Sequence, residues 1–255
     1  MKLLSINSDS KTVKGLKDGV LTAVQYGAPS TSAGVGNQCP DASDACITSC
    51  LFTAGRASFD AAINQARILR TIMFVRNKTE YWPKMVKELQ ALIRKAARLN
   101  LTPACRLNGT TDAPWERMRI RGTEFDGMTL MQAFPTIQFY DYTKTIARLG
   151  TTPDNYYLLA SKSERMSDAT MAEIIANGYN VAVVFRVCDH RGNCKCPLPT
   201  SYLGHAVVNG DLNDLRYKDI AGVIVALKAK GRAKDDTAGF MIDVRYWWTQ
   251  STAAA

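Results

Sequence analysis

Apolar and polar positions along this chain alternate in the way typical of a protein built from strands and helices in turn. Short runs of consecutive apolar residues, such as 180–187 (NVAVVFRV), predict strands that are covered on both faces. A strand open to water on one face would instead alternate apolar and polar residues. The strands predicted in this way span residues 20–26, 101–107, 136–142, 155–160, 180–187, 206–208, 223–227 and 240–244.

Helical periodicity fills most of the intervals between these strands. Apolar residues at helical spacing predict a helix from about residue 58, a break at residues 77–80 (NKTE) and a second helix to about residue 98. Strands that alternate with helices indicate βα units and parallel pairing, so the sequence predicts an α/β protein. Shorter helices are predicted over residues 127–133, 143–150 and 168–177.

The length and the placement of polar residues favour one domain with a barrel-like sheet. A chain of 255 residues can bury the core of one α/β domain. The sequence holds no glycine-rich dinucleotide loop, and polar residues collect just after the strands, as they do on the active rim of a β/α barrel. We therefore predict a single β/α domain over residues 1–255, a TIM-like or partial barrel. Residues 1–55 form its N-terminal extension and cysteine-rich loop.

The chain has the features of a soluble protein. No window approaches the roughly 18 apolar residues of a spanning helix, and residues 1–7 (MKLLSIN) turn polar too early for a signal peptide. We expect a cytoplasmic location and no membrane partner. Reducing conditions would keep thiols free there, and the odd number of cysteines, seven, excludes a complete disulfide framework.

The first candidate site is a run of three cysteines in a polar loop. Cys39, Cys46 and Cys50 have the spacing C-x6-C-x3-C. Three thiolates from one loop can bind three corners of a [4Fe–4S] cluster and leave the fourth iron open. A structural zinc site completed from elsewhere and unliganded thiols are the alternatives. Zinc sites usually contain C-x2-C pairs, so the wider spacing favours the cluster.

A second cysteine run lies in residues 188–196 (CDHRGNCKC). Its Cys188, His190, Cys194 and Cys196 can bind one metal ion or supply outer ligands to the first site; a surface loop is the alternative. Loops that follow parallel strands emerge on one rim, so we expect both runs in the same half of the molecule. The remaining Cys105 is expected to be a small buried apolar residue.

Charged and polar residues at strand ends are the candidate catalytic groups. We predict that they converge on one concave pocket beside the first cysteine loop. Arginine and lysine suit a carboxylate or phosphate, whereas carboxylates suit an amine or hydroxyl groups. The alternative is an ion network that closes a small barrel, because buried charges need partners whatever their role. The set comprises Arg106, Asn108, Asp141, Lys162 and Glu164.

The net charge of +9 favours a polyanionic partner such as nucleic acid or a nucleotide. A basic surface that only confers solubility is the alternative. The basic residues favour helical stretches such as 84–98 (KMVKELQALIRKAAR), where they alternate with apolar residues at helical spacing.

Several segments together resemble the phage gene product 88 family. The resemblance extends from about residue 7 to about residue 243, and the layout of that family is similar to radical-SAM proteins. The segments are CPDASDACITSCLFTAGRA at 39–57, ACRLNGTTD at 104–112, FYDYTK at 139–144, LLASKSE at 158–164 and NGDLNDLRYKDIAGVIVALKAKG at 209–231.

This resemblance implies that the first cysteine run ligates a [4Fe–4S] cluster whose open iron binds S-adenosylmethionine. It also implies a phage or mobile-element origin, with action in the host cytoplasm on nucleic acid or a nucleotide. The spacing departs from the usual radical-SAM pattern, C-x3-C-x2-C, so the alternative is a non-enzymatic, metal-stabilised nucleic-acid-binding protein for phage replication or regulation. The expected cofactor contacts are Asn108, Gly109, Thr110 and Asp112 in one turn, with Ser161 and Ser163 after another strand.

Overall fold

A ten-stranded sheet forms the centre of the computed structural model, which describes residues 1–7, 9–187 and 197–244. The strands of the described residues are β1 Leu4–Ile6, β2 Val20–Gln25, β3 Thr102–Arg106, β4 Gln138–Thr143, β5 Tyr156–Ser161, β6 Val181–Arg186, β7 Ser201–Tyr202, β8 His205–Asn209, β9 Ile224–Lys228 and β10 Ile242–Asp243. The helices are α1 Ser10–Lys14, α2 Asp44–Thr48, α3 Ala61–Arg76, α4 Lys78–Arg98, α5 Leu130–Ala133 and α6 Asp168–Ala176.

The sheet is mostly parallel, as the sequence predicts. Its order is β1-β2-β3-β4-β5-β6-β9-β8-β7, and every pair from β2 to β8 is parallel. Among the described strands, antiparallel pairs occur only at the two ends, between β1 and β2 and between β7 and β8. The short β10 pairs in parallel with the end of β6. Among the described strands no pairing joins the two ends of the sheet, so the barrel is not confirmed.

One face of the sheet is covered by helices. Alternate strand residues such as Leu21, Cys105 and Phe139 are fully buried on this face, and Cys105 is a core residue as the sequence predicts. Helix α4 supplies the largest matching apolar surface, because its buried residues recur at helical spacing. Each large aliphatic side chain among them contributes about 1.5–3 kcal/mol when it is fully buried. The buried α4 residues are Tyr81, Trp82, Met85, Val86, Leu89, Leu92 and Ala96.

The opposite face carries tyrosines and is covered by the segment that follows β8. Val20, Ala104 and Tyr140 point to this face and contact Leu215. The covering segment is held at the start of β2 as well, because Asn213 donates a hydrogen bond to Asp18 at 3.2 Å. A charged contact reinforces it, since Lys11 of α1 lies 2.7 Å from Asp211.

One feature of the local structure differs from the sequence predictions. The helix expected over residues 143–150 is only a 3-10 turn, Ile146–Arg148. Its first residues are instead held by Asp112, which accepts hydrogen bonds from the Thr143 hydroxyl and the Lys144 amide. The break expected at residues 77–80 is confirmed, because Asn77 ends α3 and caps α4. No helix of the described residues is long and apolar enough to cross a bilayer.

Candidate thiol site at the carboxyl edge of the sheet

The cysteine loop, residues 39–50, is anchored to the turn that follows β3. The chain leaves β2 at its carboxyl end, and the amide of Gln38 then donates to the carbonyl of Ser30 at 2.9 Å. The carbonyl of Gln38 in turn accepts a hydrogen bond from the amide of Asp112, also at 2.9 Å. The loop therefore starts beside the carboxyl end of β3.

Side-chain hydrogen bonds also fix the cysteine loop to residues just after β4 and β5. The hydroxyl of Thr145, after β4, donates to the carboxylate of Asp41. Ser43 accepts from the amide of Cys46 at 3.1 Å, as the cap of α2, and donates to Glu164 at 2.8 Å. Because Glu164 follows β5, the loop lies along the carboxyl ends of these two strands.

The three thiols of the loop are half-buried and lie in a common electrostatic environment. Burial raises the pKa of Cys39 to about 12, and nearby Cys50 and Cys46 raise it as well. Burial also raises the pKa of Cys50, to which the neighbouring Cys46 adds. The three thiols thus influence one another electrostatically, but in the described residues they do not form a cluster around a common point.

Backbone amides donate to two of the three sulfurs. The amide of Ser30 lies 3.4 Å from Cys39 Sγ, and the amide of Phe52 lies 3.5 Å from Cys50 Sγ. Donors of this kind favour the thiolate over the thiol, so they lower the pKa of each cysteine against the larger effect of burial.

Lys144 places a half-buried cation in the electrostatic environment of the thiols. Its ammonium donates to the Ser161 carbonyl at 3.0 Å, to the Ser161 hydroxyl at 2.9 Å and to the Lys162 carbonyl at 2.7 Å. These three acceptors match the three hydrogens of an ammonium and hold it in place. Burial lowers the pKa of Lys144, and the Cys46 thiolate opposes this shift. Burial raises the pKa of Cys46 as it does that of Cys50, and the positive charge of Lys144 opposes both shifts.

Arg67 of α3 is a second cation next to the loop. Its guanidinium lies 5.2 Å from the ring centroid of Tyr26 and 5.4 Å from that of Phe52, and it donates to the Phe52 carbonyl at 3.1 Å. The side chain lowers the pKa of Cys50. Neither Arg67 nor Lys144 is in the set predicted from sequence, although Lys144 lies two residues after the strand predicted over residues 136–142.

The described residues contain no group of three or more His, Cys, Asp or Glu side chains arranged around one metal ion. A tetrahedral zinc site needs sulfurs within about 4 Å of each other, since Zn–S bonds are near 2.3 Å. The three thiols of the cysteine loop therefore do not form a single-ion site. The second run, with Cys188, His190, Cys194 and Cys196, lies outside the described residues.

A cavity of about 430 Å³ opens beside the cysteine loop. Asp41 and Lys144 line it, together with Ser161 and Ser163 from the set of expected cofactor contacts, and with Arg165. None of the five predicted catalytic residues, all of which lie in the described ranges, lines this cavity.

Arg106 lies on the tyrosine-bearing face of the sheet. It forms an ion pair of 2.8 Å with Asp214 in the covering segment, and its guanidinium lies 5.0 Å from the ring centroid of Tyr142. Both members of the pair are largely buried, with side chains 13% and 5% exposed. Arg106 therefore joins the sheet to the segment that covers it.

Asp141 points to the helix-covered face and accepts three hydrogen bonds there. The donors are the amides of Leu107 at 3.3 Å and Asn108 at 2.8 Å and the hydroxyl of Tyr156 at 3.0 Å. Burial raises the pKa of Asp141 to about 7, although nearby Arg106 lowers it. Because successive strand residues face opposite sides, Asp141 and Arg106 lie on opposite faces.

Asn108 uses its side chain to close the turn after β3. Its carbonyl oxygen accepts from Thr111, from the amide of Ala113 and from the indole of Trp115, and its amide donates to Ala113. The side chain is 3% exposed, so its bonds are internal to the turn.

The rest of this turn is equally tied to its surroundings. A Cβ on Gly109 would lie 2.7 Å from the Gln25 carbonyl, so only glycine allows this approach to β2. Thr110 donates to the Gly27 carbonyl. Asp112 lies 2.6 Å from Arg148 in a buried ion pair, and burial raises the pKa of Asp112.

Lys162 and Glu164 follow β5, as the sequence predicts. Lys162 donates to the Met166 carbonyl at 2.8 Å and lies 3.7 Å from Asp168. Of the five predicted catalytic residues, Glu164 contacts the cysteine loop directly. Arg106, Asn108 and Asp141 are instead committed to contacts within the core.

The fold and the site together define a mixed α/β protein whose cysteine-bearing loop crosses the carboxyl edge of a parallel sheet. The chain belongs to the gene product 88 family, because the family model matches residues 2–244. No curated protein and no solved structure matches the chain significantly.

Proposed function

We propose that this protein is an iron–sulfur protein whose [4Fe–4S] cluster is held by Cys39, Cys46 and Cys50. The observation that carries the proposal is that three half-buried thiols lie on one loop, which is tied to residues just after β4 and β5. On this proposal the protein is a radical-SAM-like enzyme of phage or mobile-element origin that acts on nucleic acid or a nucleotide.

The donor set fits a cluster better than a single ion. In a cubane each cysteine binds a different iron, so the sulfurs need to be neighbours but need not converge on one point. Hydrogen bonds to the sulfurs and nearby charges tune such a centre. Ser30 and Phe52 supply the amides, and Lys144 and Arg67 supply positive charge that offsets the thiolates.

The neighbouring cavity is the proposed place for S-adenosylmethionine and substrate. The chemistry that a cluster supplies with S-adenosylmethionine is one-electron reductive cleavage, which yields a radical for hydrogen abstraction. Ser161 and Ser163 can contact polar groups of a ligand in the cavity, Asp41 suits an amine, and Arg165 suits a carboxylate. Asn108 would act indirectly here, because its side chain holds the turn after β3.

A partial β/α barrel is part of the same proposal. Contacts between α1 and the segment after β8 support it, because Lys11 and Asp211 connect the two ends of the parallel strand series. The curvature of a partial barrel would direct the residues that follow successive strands towards one common opening at the carboxyl end of the sheet.

Anaerobic purification tests the proposal. We expect a brown protein with broad absorbance near 400 nm and about four irons per chain. The triple variant C39S/C46S/C50S should lose both, whereas C105A, which removes a core thiol, should retain both. Retention of iron in the triple variant would contradict the proposal. The triple variant C188S/C194S/C196S then shows whether the second run contributes ligands.

A zinc- or cluster-stabilised nucleic-acid-binding protein without catalytic activity is the second candidate. The net charge of +9 favours it. A colourless protein that contains zinc, and whose affinity for DNA falls steeply with salt, would support this candidate over the first.

A further inference from the structure

Four cations form a straight stripe on the outer side of α4. Lys84, Lys87, Arg94 and Arg98 recur at steps of three, seven and four residues, which places them on one side of a helix. Lys84 is half-buried and the other three are exposed. At 1.5 Å per residue the stripe is about 21 Å long.

These four side chains form no ion pair with an acidic residue of the described ranges. Glu88 lies between them in sequence, but its carboxylate accepts from the backbone amides of Leu3 and Leu4 at 2.7–3.0 Å. The exposed Glu80, one turn before Lys84, is the acidic residue in line with the stripe. The positive charge of the stripe is thus open to an external partner.

A second basic segment flanks α4. Arg117, Arg119 and Arg121 are exposed at alternate positions beside the helix, because Gln90 of α4 donates to Glu124 at 2.9 Å. These arginines contribute less free charge: Arg121 lies 3.6 Å from Asp126, and Arg117 lies 3.8 Å from Glu116.

The opposite side of α4 is fixed in the core, where Trp82, Met85 and Leu89 are buried. A helix that binds membranes inserts an apolar face into lipid, and α4 has already buried its apolar face against the sheet. The exposed side of α4 carries a row of positive charge. Such a row matches the regularly spaced phosphates of a nucleic acid better than it matches the surface of a bilayer.

We infer that the stripe of Lys84, Lys87, Arg94 and Arg98 binds the phosphate backbone of a nucleic acid. Its length corresponds to about six base-pair steps of a duplex, at 3.4 Å each. Helix α4 starts next to the cysteine loop, because Lys78 and Pro40 line one cavity of about 260 Å³. A polymer bound along the stripe therefore has one end near the thiols. This inference rests on the proposed function for the role of that polymer as substrate, but binding to the stripe does not require a cluster.

Binding of a fluorescein-labelled 20-bp DNA duplex, followed by anisotropy across a salt series, tests the inference. The plot of log K against log salt has a negative slope. The variant K84Q/K87Q/R94Q/R98Q should reduce the magnitude of this slope by roughly three to four units. The control K14Q/K17Q/R232Q/K234Q removes the same charge from other parts of the surface and should change the slope by less than about one unit. Circular dichroism checks that both remain folded; if the quadruple variant does not, K84Q/K87Q and R94Q/R98Q should each remove about half the effect.

Equal losses in the stripe variant and the control would overturn the inference, since they would show a general charge effect. Binding to vesicles of anionic phospholipid without binding to the duplex would overturn it as well. The C39S/C46S/C50S variant separates the two proposals: it should bind the duplex as tightly as the wild type, even if iron analysis shows that the protein never held a cluster.

Discussion

The hydroxyl of Ser43 donates a hydrogen bond of 2.8 Å to Glu164, and the same oxygen accepts from the amide of Cys46. One side chain thus caps the short helix α2 and ties it to the end of β5. The five residues of α2 make too few internal hydrogen bonds to hold the position of Cys46 without this support.

We predict that S43A exposes Cys46. Loss of a serine cap costs about 1 kcal/mol, and in this loop the cost falls on the local structure around the thiol. The thiol of Cys46 should therefore react several-fold faster with a disulfide reagent, with the modified cysteine located by mass spectrometry. The matched control is S167A, which removes the cap of α6 and should leave the rate at Cys46 unchanged.

We predict that R106A lowers stability by about 3–5 kcal/mol, because it leaves Asp214 buried without its partner. Urea denaturation measures the loss. In the double variant R106M/D214L most of it should be recovered, since apolar residues can replace a buried pair. Unchanged stability together with lost ligand binding would instead show that Arg106 belongs to a ligand-binding site.

A pH dependence is predicted for Asp141. Its pKa is about 7 in the folded protein and near 3.9 in an unfolded chain, so the folded state binds the proton more tightly. Its contribution to stability is therefore fully present below pH 4 and is lost as the pH rises towards 7 and above. The loss amounts to about 4 kcal/mol.

D141N should remove this dependence, because an amide resembles the protonated acid. Urea denaturation between pH 4 and pH 8 should give a flatter profile for the variant than for the wild type. Asp211 makes a useful reference: ion pairing with Lys11 overcomes its burial and holds its pKa at about 2, so its effect falls below this window. Parallel profiles for wild type and D141N would contradict the prediction.

We also predict that R148M destabilises the protein by about 3–5 kcal/mol. Arg148 lies 2.6 Å from Asp112 and 2.8 Å from Glu116, and all three side chains are buried. R117M removes a neighbouring arginine that is 67% exposed and should cost less than about 0.5 kcal/mol. Thermal unfolding compares the two, and similar shifts in Tm would show that the buried network has no special role.

The strands could be predicted because their apolar runs record burial on both faces, as in residues 180–187, where β6 is found. The short elements β1, α1, α2 and β7 were missed, since two to five residues carry too little periodicity. The prediction of a helix over residues 143–150 was wrong for a different reason. Asp112, more than thirty residues earlier, holds the first residues of this segment in another conformation.

The candidate site was predictable only in part. The position of Glu164 after a strand was sufficient to place it near the first cysteine loop. The role of Arg106 could not be predicted, because its partner Asp214 lies 108 residues later in a segment without helical or strand periodicity. Lys144 was not among the predicted site residues, because its importance depends on three oxygens, two of them backbone carbonyls, which carry no signal in a sequence.

The strand order has a consequence for how the chain folds during its synthesis. From β1 to β6 every strand pairs with the one made just before it, so the sheet can grow as the chain leaves the ribosome. That growth stops at β6, because β9 lies between β6 and β8 and is made after both. Until β9 arrives, β8 and its hairpin have no place on the sheet, and the nascent chain exposes the edge of β6. A ribosome pause or a truncation before residue 224 would therefore leave a half-built sheet that is prone to aggregation.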